Sequence, residues 1–178
     1  MLKKTTNAIK SWFLDSDGVI YLEKNENTLI QQYSFIKFNS EIVLPETKYV
    51  IKEATDEILD LVKIIEKNRI EGKYKVSDYS LEDLKRDYDR TKELLKGEKN
   101  KFTRTRLKCT ELVTMKDGSK ISSDVTKVHF NCYLMWKIAK VLDGEIKVSY
   151  VDEKTAILIE GKNGIAYLMP YVVRSKKT

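Results

Sequence analysis

Histidine, cysteine and proline are nearly absent from this chain: of 178 residues one is His, two are Cys and two are Pro. A metal site or a nucleophile–base pair built on the single His129 would need partners at matching spacing, and none are there. His129 alternates with Val128 and Phe130 at a strand end and reads as structural. Cys109 and Cys132 lack CxxC spacing, so they are expected as reduced thiols in a cytoplasmic protein. With seven glycines besides the two prolines, the composition excludes low complexity and long flexible linkers. No apolar run is long enough to span a bilayer, and the Met-Leu-Lys-Lys-Thr-Thr start has no apolar segment behind it. Neither a membrane partner nor a secretory signal is therefore expected.

Catalytic signatures are missing too. There is no Walker A sequence, GxGxxG, nucleophile elbow or HExxH. Asp15-Ser16-Asp17-Gly18 lacks the later oxygen ligands of a calcium loop, and the acidic pairs Asp15/Asp17 and Asp152/Glu153 sit in turns where solvation explains them. The expectation is a protein without catalytic residues, cofactor or metal.

What is present is organised around Asp124–Val173. A period-2 segment (DVTKVHFN) leads into a 3.6-period segment (NCYLMWKIAKVL), followed by three short apolar strands (EIKVSYV, TAILIEG, IAYLMPYVV). Asn131 is placed to cap the helix, and Asp143-Gly144 to end it. Leu134, Ile138, Val141 and Leu142 share one helical face; Tyr133, Trp136, Lys137 and Lys140 share the other. The first face is built to sit on a sheet. The second reads either as a phosphate-facing surface or as a solvated face with snorkelling lysines.

The start of the chain repeats this order without its first strand. A helix is expected over 3–13, then strands over 19–23, 28–39 and 41–44, with another over 48–51 after Pro45. The middle differs. An amphipathic helix over 53–68 carries Ala54, Ile58, Leu61, Val62 and Ile65 on one stripe. A second helix starts at the Ser80/Asp83 capping box, carries Leu81, Leu84, Tyr88, Thr91 and Leu95, and ends at Gly97. Thr105–Met115 and Ile121–Phe130 are expected to form a hairpin about Lys116-Asp117-Gly118-Ser119. The fold class is thus α+β.

The net charge of +6 is uneven. Residues 96–108 carry six basic side chains against Glu98 alone, in a segment read as a loop with Phe102 interleaved, and the C-terminal tail is basic too. Lys99, Lys101, Arg104 and Arg106 are therefore candidate phosphate contacts, with an ordinary solvated turn as the alternative.

Phe130-Asn131 followed by Tyr133-Leu134 on a helix, with Tyr167-Leu168-Met169-Pro170 on the closing strand, resembles the end of a bacterial-type DNA sliding-clamp domain. About fifty residues are covered. Only Cys132 separates the two helix pairs, so the match takes a one-residue gap, and Arg174 falls two positions beyond the family's place for it. The start, with Thr5, Thr6, Ile9 and Lys10, is similar to that of some phage clamps.

The resemblance implies two (β)αβββ halves, 1–51 and 105–178, around a helical insert with the basic loop at 52–104. It implies a non-enzymatic replication processivity role on duplex DNA, bound without sequence preference, with Tyr133, Lys137 and Lys140 on the DNA side and Lys3 and Lys10 in the equivalent place on the first helix. Tyr167 and Met169 would contribute to a pocket for polymerase or other clamp-binding proteins, unless they are plain core residues. Rings in the family hold six domains, so this chain would act as a homo-oligomer. The alternative is a phage- or plasmid-encoded interaction module, an inhibitor or adaptor, which the acidic start of the 53–68 helix favours.

Overall fold

A helix followed by three antiparallel strands occurs twice, and the two units meet edge to edge. The computed structural model describes residues 2–13, 19–46, 50–114 and 126–172. The first unit is α1 (Leu2–Phe13), β1 (Val19–Glu23), β2 (Thr28–Gln31) and β3 (Ser34–Phe38). After it come β4 (Val50–Glu53), α2 (Asp56–Ile70), β5 (Lys75–Val76), α3 (Leu81–Leu94), α4 (Lys101–Leu107), β6 (Cys109–Thr114) and β7 (Thr126–Asn131). The second unit is α5 (Cys132–Leu142), β8 (Lys147–Tyr150), β9 (Ile157–Gly161) and β10 (Gly164–Leu168). The protein is α+β.

Eight strands form one sheet in the order β4-β1-β2-β3-β10-β9-β8-β5, and β6 and β7 form a separate antiparallel pair. Register reveals the repeat: Thr28 lies opposite Lys37, and Leu158, 130 positions later, lies opposite Tyr167. The junction is the antiparallel pair β3–β10, centred on Ile36 opposite Ala166. Gly164 is required there, because its φ is +153° and a Cβ would lie 2.1 Å from the Lys37 carbonyl oxygen.

Strand alternation sends side chains to two covered faces. Leu29, Ile36, Ile159, Ala166 and Leu168 join Ile9 and Trp12 of α1 and Leu134, Ile138, Val141 and Leu142 of α5 in the larger core. Ile30, Phe35, Leu158 and Tyr167 face the other way, onto Ile58, Val62 and Ile65 of α2. Trp12 is fully buried and its indole donates to Ser34 Oγ at 3.1 Å. Asn131 caps α5 by accepting from the Tyr133 and Leu134 amides, while Asp143 and Gly144 both take positive φ to end it. The β9–β10 turn then holds that end: Asn163 donates from its backbone to Leu142 O and from its side chain to Val141 O.

Several boundaries differ from the sequence expectation. Residues 28–39 are a hairpin, turning at Gln32-Tyr33 without Gly or Pro, and no strand forms over 41–46. The strand expected at 48–51 corresponds to β4, Val50–Glu53 among the described residues, which pairs in parallel with β1; residues 47–49 lie outside them. That pairing takes Glu53 out of the following helix, which starts at Asp56. The capping box at Ser80 and Asp83 is formed. The basic segment contains a helix, α4, because Asn100 accepts from the Thr103 amide and caps it. The closing strand stops at Leu168, after which Met169 N donates to Tyr33 O and Tyr171 N to His129 O. The turns expected at 15–18 and 116–119, and the basic tail beyond 172, lie outside the described residues.

Candidate nucleic-acid interface

The polar face of α5 is not simply solvated. α3 lies against it, and Tyr88 places its ring 4.5 Å from that of Tyr133 and 5.3 Å from that of Trp136, the latter pair stacked. Each end of this row carries an ammonium group. Lys140 Nζ stands 4.5 Å from the Trp136 ring centre, and Lys108 Nζ stands 5.0 Å from that of Tyr133. Facing the negative ring faces favours the two cations. Burial, with Tyr88 beside it, pushes the Tyr133 hydroxyl up, against the opposing pull of Arg104.

The sequence-derived candidates are spread unevenly about this row. Lys140 is exposed and Lys137 half-buried on α5, and Lys10 is exposed on α1, which packs beside α5. Lys3 lies within α1, its side chain outside the described residues. Lys99 and Lys101 are exposed beside Phe102, itself 72% exposed. Tyr133 is half-buried, its ring in contact with Tyr88 of α3. Arg104 is structural in its visible bonds: one guanidinium nitrogen donates to Leu95 O at 3.3 Å and Glu98 O at 2.7 Å, satisfying carbonyls where α3 ends. Arg106 is exposed on the far side of α4, lining a groove between α3, α4 and β6.

The two residues expected at a partner pocket separate. Tyr167 is buried and stacks on Phe35 with ring centres 4.6 Å apart, beneath α2. Its side chain faces the covered side of the sheet, and burial pushes its hydroxyl up to about 12. It is a core residue. Met169 stands just past β10 and is 41% exposed.

Lys108, Tyr88 and Arg90 were not picked out from the sequence as site residues. Tyr88 lies on the apolar stripe of α3, which marks a contact without naming its partner. Lys108 follows α4, whose existence was missed. Among the described residues, no three His, Cys, Asp or Glu side chains are grouped to hold a metal ion, and no helix is long and apolar enough to cross a membrane. Comparison of the chain with protein-family models, curated proteins and solved structures returns no match.

Proposed function

We propose that this chain is a non-enzymatic DNA-associated protein that holds duplex DNA through its phosphates, without reading sequence, in a sliding-clamp-like role. The observation that carries the reading is the aromatic row flanked by Lys108 and Lys140, with Lys99 and Lys101 exposed nearby in sequence at α4. Ammonium groups on a rigid helical platform neutralise phosphates and release counterions, which favours any duplex alike. Two helix-plus-three-strand units joined through β3–β10 support the clamp-like part, since paired halves are what the resemblance at the chain's end implies. On this reading α3 displaces part of the contact from α5: Lys140 and Lys10 remain outward, and the α4 lysines take over from Tyr133. Several copies would be needed to encircle a duplex, so the protein would work as a homo-oligomer, with polymerase or another clamp-binding protein as partner.

A second reading, an interaction module acting as inhibitor or adaptor, is favoured by the outer face of α2. Leu61 and Ile64 are each 61% exposed there, next to Asp60, and the helix begins with Asp56 and Glu57. Apolar and acidic groups on one face suit a protein better than a phosphate chain. Fluorescence anisotropy with a short duplex of random sequence decides between the two. Binding at low salt that falls steeply as salt rises supports the DNA reading; no binding at low salt leaves the interaction module.

A further inference from the structure

The groove between α3, α4 and β6 has features of its own. It encloses about 550 Å³, a volume within the range of small-molecule sites. Arg90 enters from α3 and Arg106 from α4, so two guanidinium groups on different helices serve one concavity. Both are exposed, and no ion pair among the described residues holds either one. Basic neighbours on and just beyond α3 behave differently: Lys85 pairs with Asp89 at 2.7 Å, Arg86 with Asp83 at 2.9 Å, and Lys96 with Glu93 at 2.6 Å.

The remaining lining sharpens the selectivity. Among the described residues that line it, Asp87 is the acidic side chain, and that carboxylate is already engaged, accepting from the Tyr79 hydroxyl at 2.8 Å. The Cys109 thiol is pushed up to about 11 by burial, so it stays neutral near pH 7 and adds no negative charge to the wall. Leu94, 52% exposed, supplies an apolar patch, and Thr103 adds a hydroxyl. A planar guanidinium fork matches phosphate oxygens better than an ammonium does, and two forks can hold one phosphate from two sides.

We propose that this groove is a nucleotide-phosphate site, in which Arg90 and Arg106 hold the phosphate and the Leu94 patch carries the base. The unit it takes is a nucleotide, either free or at the 5′ end of a strand. Its residues are separate from Lys108 and Lys140, so it stands or falls independently of duplex binding by the aromatic row.

The test is titration of the full chain with deoxyadenosine monophosphate and inorganic phosphate, followed by calorimetry and amide chemical shifts. Saturable binding of the nucleotide is expected, tighter than phosphate alone, with shifts concentrated at Thr103 and Thr110. Arg90→Gln and Arg106→Gln should each weaken it by about fivefold or more, while Lys63→Gln on α2 leaves it unchanged. Both arginines are exposed and form no ion pair among the described residues, so the variants keep the wild-type melting temperature, which is measured alongside. A 5′-phosphorylated oligonucleotide binding more tightly than the free nucleotide identifies a strand end; equal or weaker binding identifies the free ligand. No saturation by about 10 mM nucleotide, binding indifferent to both arginine changes, or tighter capture of a poly-glutamate peptide would overturn the proposal. Loss of duplex binding in Lys101→Gln/Lys140→Gln with nucleotide binding intact would remove the duplex reading alone.

Discussion

Gly164→Ala strikes the seam between the two repeated units. Gly164 pairs with Phe38 of β3 and with Gly161 of β9, so both neighbouring strands constrain it. An added Cβ would lie 2.1 Å from Lys37 O and 3.0 Å from Phe38 Cα, both backbone atoms of a central strand that cannot swing aside as a side-chain tip can. Holding an L-residue at φ +153° costs about 1–3 kcal/mol. Forcing the strands apart costs about as much again. The loss is thus roughly 2–6 kcal/mol against a total stability of about 5–15 kcal/mol. With a urea m-value of about 2 kcal/mol/M, the midpoint should fall by about 1–3 M, read from far-UV circular dichroism. Gly72→Ala is the control: its φ is also positive, at +67°, but nothing lies within 4 Å of the added carbon. It should cost about 1–2 kcal/mol, from backbone conformation alone. A loss at Gly164 no greater than at Gly72 would refute the packed β3–β10 seam.

Arg104→Met should destabilise by about 1–2 kcal/mol in the same urea assay, because it removes charged donors from the Leu95 and Glu98 carbonyls while keeping the apolar stem; an unchanged midpoint would return Arg104 to the role of a solvated cation. Asp83 gives a pH signature. The Ser80 amide first, then the Ser80 hydroxyl and Arg86, hold its carboxyl below the ordinary value of 3.8. A depressed folded value means the stabilisation is full above about pH 4 and is lost as pH falls through the folded value. Asp83→Ala should therefore be less stable than wild type at pH 7, with the gap closing in acid; a gap that persists or widens below pH 3 would contradict the capping assignment.

The legible parts of the fold were those fixed by local chemistry. Asn131 before an amphipathic run and Ser80 three residues ahead of Asp83 each commit a backbone N–H to a side chain, whatever the surroundings. The order of the second unit was readable because α5 is amphipathic and the strands after it are short and apolar; in the first unit the third strand comes from the split of 28–39, not from the expected 41–44. The hairpin at Gln32-Tyr33 was hidden because its turn has no Gly, Pro, Asn or Asp, and Tyr33 has a β-favouring side chain. α4 was hidden because seven residues dense in Lys, Arg and Thr carry no apolar periodicity, leaving the Asn100 cap as their only signal.

The site was less legible than the fold. Tyr133, Trp136, Lys137 and Lys140 were grouped correctly on one face of α5, but what covers that face is Tyr88, 45 residues earlier in the chain than Tyr133. The role of Tyr167 turned on α2. A strand flanked by helices on both faces buries alternate residues in opposite cores, and the pattern of the strand alone does not say that its second face is covered.

The salt dependence of duplex binding, compared between wild type and Lys101→Gln/Lys140→Gln, tests the central claim most directly. Each phosphate contact contributes a slope of about −0.9 in log K against log salt, so losing two should flatten the slope by about 2 and weaken binding at low salt. Lys101 and Lys140 are both exposed, so the melting temperature should stay within about 2 °C of wild type. That flattening, in a variant of wild-type stability, is the predicted result; a slope and affinity identical to wild type would contradict duplex binding by the α4–α5 surface.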